Sequence, residues 1–259
     1  MLKNYLIVAF RNLRRDRIHS FINITGLAIG MAVVALIGLW IDDECTFDRF
    51  NPRYDHIARL MQNETTNGET GTTPSLPYAL ANELRTTYGA SFKHVVASWW
   101  TLDHVLAYGD KKVTQKGKFM EPGAAEIMAL HLEQGSGKAL EDRTSVLLSA
   151  SAAQALFGSA DPMGQVLHID NQMTVAVRGV YTDLPANSAF KGVAFIAPFA
   201  LFAAENSWVR DVQTDWGYDL VEVFVELADN ADPKALSAHE KPFELVTTLV
   251  PATGFPMAD

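Results

Sequence analysis

The residues best equipped for chemistry are few and scattered. Gly135-Ser136-Gly137-Lys138 is the nearest approach to a phosphate loop. A Walker A loop cradles phosphates on backbone N–H groups, and it needs a further glycine five positions before its GK pair and a hydroxyl residue after it. Leu132 and Ala139 occupy those places, so the stretch is expected to be structural and any nucleotide to be bound by a partner. The seven histidines, at 19, 56, 94, 104, 131, 168 and 239, show neither H-E-x-x-H nor Cys/His ligand spacing, which predicts solvated or hydrogen-bonded side chains, not metal ligands. No G-x-S-x-G nucleophile elbow occurs. The sequence therefore offers no catalytic, cofactor-binding or metal-binding residue.

Three smaller groups remain. Cys45 is the only cysteine, so no intrachain disulfide can form, and with no basic neighbour to make a thiolate it reads as an unpaired thiol rather than a bridge between copies. Asp42, Asp43 and Glu44 read as a solvated, topology-setting cluster. Trp99-Trp100 is more provocative: adjacent strand residues face opposite ways, so one ring can pack inside while the other meets a lipid, a partner or a second subdomain.

The elements that must carry these residues begin with a membrane anchor. Residues 20–41, SFINITGLAIGMAVVALIGLWI, hold no charge, and at about 1.5 Å of rise per residue such a helix crosses the ~30 Å hydrocarbon core of a bilayer. Lys3, Arg11, Arg14, Arg15 and Arg17 precede it and the three carboxylates follow it, which by the positive-inside rule places the N-terminus in the cytoplasm and everything after Ile41 outside. A cleaved signal peptide fits less well, because the apolar run is too long and no small-residue cleavage site follows; Arg14-Arg15 is a weak twin-arginine match. Leu2, Leu6, Ala9, Phe10 and Leu13 recur at helical spacing among the basic residues, an amphipathic arm (1–19) suited to anionic membrane lipids. Gly26 and Gly30 form a GxxxG, a face on which a second helix can pack.

The whole chain has 21 basic and 30 acidic residues, and the part beyond residue 19 has sixteen against twenty-nine. Such an acidic outer region argues against nucleic-acid binding. Its pattern is α+β. A strand is expected over 57–61, a loop at NGETGTT, a helix through Leu76, Leu80 and Leu84 with Pro77 in its first turn, and strands in SFKHVVASWW and HVLAYGDKKVTQKGKFM with turns at Asp103 and Gly109-Asp110. Next come a short helix over 124–132, a helix capped by Ser149 and closed by Gly158, and a turn at Asp161-Pro162-Met163-Gly164. A hairpin around Asn171-Gln172, an alternating strand through Leu220, Val221, Val223 and Val225, and a helix opened by Asp232-Pro233 complete the pattern.

Two blocks carry a resemblance. FRNL with INITGLAIGMA and DECTFDRFNPRYDHIARL form one, and SVLLSASAAQALFGSADPMGQVLHIDNQMTVAVRGVYTDLPANSAFKG forms the other. Together they resemble the N-terminal part of bacterial MacB/FtsX-type ABC transporter permeases, over about residues 1–240. The resemblance implies a periplasmic core domain (42–240) of porter-like (51–110 and 215–240) and sabre-like (111–214) subdomains. It also implies ATP hydrolysis on a separate cytoplasmic ABC ATPase subunit, and contacts with membrane lipids and with a second permease copy or a periplasmic partner. Members of that family carry three more helices after the domain. The tail, 241–259, is proline-rich and lacks a second apolar span, so the expectation is a truncated permease subunit of the bacterial inner membrane. The alternative is a single-pass periplasmic binding or scaffold protein without transport activity.

Overall fold

The structure, a computed structural model, describes residues 17–66, 69–231 and 243–246, with positions 5, 11, 14 and 15. It comprises two units, Met1–Phe47 and Asp48–Asp259. The first holds α1 (Arg17–Cys45), none of whose residues is buried. A helix apolar on every side has no face to offer water, and by length and composition α1 is, among the described residues, the one helix able to cross a bilayer. It overruns the expected 20–41 at both ends, so Asp42, Asp43 and Glu44 lie in its last turns, where Thr46 Oγ1 donates to the Asp42 carbonyl at 2.8 Å. Of the amphipathic arm, positions 5, 11, 14 and 15 are helical and exposed and Arg17, Ile18 and His19 belong to α1; the rest of it lies outside the described residues, as do the Asp232 helix and most of the tail.

The second unit is built from β1 (Ile57–Thr66), β2 (Glu69–Thr73), β3 (Leu76–Pro77), α2 (Tyr78–Thr87), β4 (Phe92–Ser98), β5 (Leu102–Tyr108) and β6 (Lys111–Met120). It continues through α3 (Ala124–Ile127), β7 (Leu132–Gly135), β8 (Ser145–Ser149), α4 (Ala150–Phe157), β9 (Val166–Ile169) and β10 (Met173–Tyr181). The last described elements are β11 (Phe195–Pro198), α5 (Phe199–Glu205), α6 (Ser207–Asp211), β12 (Asp219–Leu227) and β13 (Phe243–Val246). The strands run in the order β11-β8-β10-β9-β5-β6-β4-β12-β1-β13. Because β11 also pairs in parallel with β6, from Phe195 opposite Gly117 to Pro198 opposite Met120, the strands β6, β5, β9, β10, β8 and β11 close into a ring. Gly117 permits the closure: a Cβ there would overlap the buried Phe195 ring.

β4 leaves the ring, paired to β6 only at Ser98 opposite Met120, and joins β12, β1 and β13 in an open section. Leu80, Ala81 and Leu84 of α2 are buried, as the four-residue repeat requires. Ser149 caps α4, its Oγ accepting from the Ala152 N–H at 3.2 Å, and Gly158 closes it at φ +64°. β9 and β10 form the expected hairpin, turning through Asp170 and Asn171 at φ +52° and +56°.

Several local expectations are corrected. NGETGTT is not simply a loop, since Glu69–Thr73 pairs back on β1. Pro77 precedes its helix in extended backbone, leaving Tyr78 as the first helical residue. Asp103 lies inside β5, and residues 99–101 carry the chain from β4 into β5 without a reversal, since both strands run antiparallel to β6. The helix expected over 124–132 stops at Ile127, where Ala129 takes a left-handed φ of +47°. The DPMG turn lies one residue later, on Pro162–Gln165: the Gln165 N–H donates to the Pro162 carbonyl at 3.2 Å, and Gly164, at φ +74°, takes the third position, where positive φ calls for glycine. Phe243–Val246, within the tail, adds a strand to β1.

Candidate functional site

The alternation in β12 predicts one face in water, yet the strand is buried from Leu220 to Leu227, including Glu222 and Glu226. Both of its faces are covered: Val221, Val223 and Val225 share a core with Leu80 and Leu84 of α2, and Phe224 on the other side shares one with Ile127, Met128 and Phe190. Each carboxylate has a cation. Lys118, 2% exposed on β6, donates to Glu222 Oε2 at 2.6 Å and to the Trp99 carbonyl at 3.2 Å, and its ammonium lies 5.5 Å from the Phe224 ring centroid. Arg59 Nη1 reaches Glu222 Oε1 at 3.3 Å. Burial pushes the Lys118 pKa down while Glu222 pulls it back up. Arg53 pairs with Glu226 and, at 2.8 Å, with Asp229, which Lys93 also reaches at 2.8 Å; these hydrogen bonds from Lys93 and Arg53 hold the exposed Asp229 down to about 2.

A second knot ties α2 to β4. Glu121 accepts from Arg85, from the Tyr78 hydroxyl at 2.5 Å and from the Ala97 N–H at 2.8 Å, and Arg85 also donates to the Val95 carbonyl at 2.9 Å. Burial, reinforced by Glu121, drives the Tyr78 pKa upward. A third polar group is Asp48, whose Oδ1 accepts from the Ala189 N–H at 3.0 Å while Oδ2 is buried without a partner; burial raises its pKa. Asn51 Nδ2 donates to the Ile127 carbonyl at 3.1 Å. These contacts are those of a scaffold, with each buried charge tied to a specific partner or backbone group.

The stretches singled out in the sequence are not brought together. In GSGK, Gly135 sits at φ +83° where a Cβ would strike the Arg178 carbonyl, Gly137 faces Ala125, and Ser136 Oγ accepts from the Lys138 N–H at 3.3 Å, so packing accounts for both glycines. His56 meets Asp55 at 2.8 Å and His168 meets Thr174 at 3.1 Å. His94 lies 3.8 Å from Glu226. His104, on ring strand β5, meets Asp170 Oδ2 at 2.6 Å, with its ring edge-on to Phe119 and Phe195 and its Nε2 unpartnered. His239 lies outside the described residues, and among the described residues no three His, Cys, Asp or Glu converge as metal ligands. Cys45 and the three carboxylates at 42–44 are exposed.

The tryptophan pair leads to the most distinctive surface. Trp99 stacks on Phe202 at 4.7 Å and meets Trp208 edge-on at 5.8 Å, and Trp208 contacts Tyr218 at 6.3 Å. Inward, Phe202 leads to Phe199 and Phe199 to Tyr78, at 6.1 and 5.1 Å. A chain of rings thus runs from the core to a surface where Trp208, Trp216 and Tyr218 are 40%, 52% and 44% exposed. Trp100 is half-buried. The sequence reading found the Trp99-Trp100 pair but not its continuation, because the other rings join it only through the fold.

The sequence profile of the MacB-like periplasmic core domain matches residues 20–239. No curated protein sequence matches the chain. Among solved structures, the chain resembles the periplasmic region of MacB from Actinobacillus actinomycetemcomitans at 15% identity and a TM-score of 0.53, covering 74% of this chain and 88% of that one. It also resembles the extracellular domain of the noncanonic ABC-type transporter YknZ from Gram-positive bacteria, at 16% identity and a TM-score of 0.51, covering 73% and 99%. A domain described as coming from a permease protein of Porphyromonas gingivalis aligns at 20% identity and 0.57, over 72% and 79%. An apolar helix leads into a mixed helix-and-strand unit, and this profile covers most of the chain: it belongs to the MacB-like periplasmic core domain family.

Proposed function

We propose that the chain is a permease subunit of an ATP-driven envelope transporter, anchored by α1 with its N-terminus in the cytoplasm and its second unit outside. The observation that carries this reading is the run of the chain from a fully exposed apolar helix directly into a MacB-like domain. The charge step supports the orientation, since five basic side chains precede the span and three carboxylates follow it. A separate cytoplasmic ABC ATPase supplies the hydrolysis, and its motion, passed through the membrane, tilts the outer unit; the chain itself contributes mechanical coupling and no bond-making chemistry. Within the outer unit we assign the open section of β1, β4 and β12 with α2 to the porter-like part and the closed ring to the sabre-like insert, which moves β5 out of the porter-like half.

The test is co-expression with the ABC ATPase subunits of the source organism, followed by purification through a tag on this chain. The ATPase is expected to be retained, and hydrolysis to require it. If the chain is membrane-bound and its outer unit folded yet no ATPase is retained, the single-pass binding or scaffold reading replaces this one.

A further inference from the structure

We propose that the outer unit carries a docking face for a basic segment of an envelope protein, formed by Trp208, Trp216 and Tyr218 and ringed by Glu205, Asp211 and Asp215. This goes beyond the permease reading and requires no ATPase.

The face is built before any partner arrives. Contact between the Trp208 and Tyr218 rings draws the two ends of segment 208–218 together, so the exposed Arg210, Asp211, Asp215 and Trp216 belong to one closed surface loop whose Val209 is buried. Within that segment the Asp215 N–H donates to the Val212 carbonyl at 3.1 Å and Asp215 Oδ1 accepts from the Gly217 N–H at 2.8 Å, which fixes the turn presenting Trp216. Trp208 is held from beneath by Trp99 and Phe202. Rigid tryptophan and tyrosine rings lose little conformational entropy on binding and supply much of the energy where interfaces form, and an exposed cluster of them calls for an occupant.

Charge selects that occupant. Between residues 205 and 218 there is one cation, Arg210, against the carboxylates of Glu205, Asp211 and Asp215, all of them exposed. An anionic lipid surface would be repelled by that ring. A second copy packed through the same patch would set like charges against each other. Arginine or lysine side chains satisfy both halves of the face, since a guanidinium or ammonium is attracted to the indole and phenol faces and to the carboxylates around them, while neighbouring apolar side chains cover the rings.

The test uses the full chain in neutral detergent micelles and a synthetic peptide of alternating arginine and leucine, with a glutamate-for-arginine peptide as its counterpart. Calorimetric titration is expected to show saturable binding of the arginine peptide and none of the glutamate peptide. Trp216→Ala and the surface double variant Glu205→Lys/Asp211→Lys are each expected to weaken binding about tenfold or more without altering thermal unfolding. Trp208→Ala, which also removes support from Trp99, is read only alongside these. Absent binding, equal binding of both peptides, or binding indifferent to Trp216 and to the charge variant would overturn the proposal. In vesicles of phosphatidylethanolamine and brominated phosphatidylglycerol, quenching that disappears in Trp216→Phe would reassign the face to the lipid surface and so overturn it too.

Discussion

Gly164 shows how a single backbone angle turns a sequence motif into a stability requirement. Its φ of +74° is closed to β-branched residues, while no atom lies within 4 Å of where its Cβ would stand, so the cost of substitution is conformational and not steric. Gly164→Val is expected to destabilise the outer unit by about 1 kcal/mol or more, read as a lower midpoint in thermal unfolding, and Gly164→Asn by less. Asp48 makes a different prediction. Burial raises its folded pKa above the unfolded value of 3.8, so its contribution favours folding at acid pH, where it is protonated in both states, and is lost as pH rises through the folded pKa. The stability of the parent relative to Asp48→Asn should therefore increase on acidification, measured by denaturant unfolding at neutral and acid pH; a parent that instead loses stability relative to the variant on acidification would contradict the assignment. Ser149 and Gly158 were legible because caps are local chemistry. Asp48 was not, since its burial is created by residues 187–189, far along the chain.

At the scale of the element, β12 departs from what its alternation ordinarily means for a definable reason. Alternating Glu and Val ordinarily means one wet face, but a strand with β4 on one side and β1 on the other, covered above and below, must bury its glutamates and bring cations to them. Lys118 and Arg59 come from two other strands, and no spacing within β12 announces them. Glu222→Leu leaves Lys118 charged and buried without its carboxylate and is expected to cost roughly 3–5 kcal/mol, whereas Lys118→Met/Glu222→Leu should recover most of that loss because Arg59 can turn to solvent. Equilibrium unfolding of both variants measures the coupling, and additive losses would show that the pair acts independently. Helices α2 and α4 and the β5–β6 and β9–β10 hairpins were read nearly in place, with errors gathered at element ends such as those set by Ala129 and Pro77, whereas β2 was read as a loop and β7, β8, β11, α5 and α6 were not read at all.

For the molecule as a whole, the anchor and the domain type were legible because each rests on a long, contiguous signal: an uncharged run in one case and two blocks in fixed order in the other. Gly109, exposed at the tip of the β5–β6 hairpin, is a place where an inserted reporter disturbs little. Alkaline phosphatase inserted there should be active, and an inactive, stably produced fusion would reverse the topology. The closure of the ring had no such signal, because β6 and β11 meet across a long intervening stretch and only the fold makes them neighbours.

That closure has a kinetic consequence. Parallel partners joined through so much intervening chain must wait for loop closure, so β11 can take its place only after the hairpins between it and β6 have formed. Once seated, it leaves the six strands no free edge between them, and none can detach without opening the whole cycle. Amide hydrogen exchange should accordingly slow to one shared rate across β5, β6, β8, β9, β10 and β11, while β2, paired on β1 alone and outside that cycle, exchanges sooner. For the mechanical coupling we propose, a ring that opens all at once or not at all would pass force on as one piece instead of strand by strand.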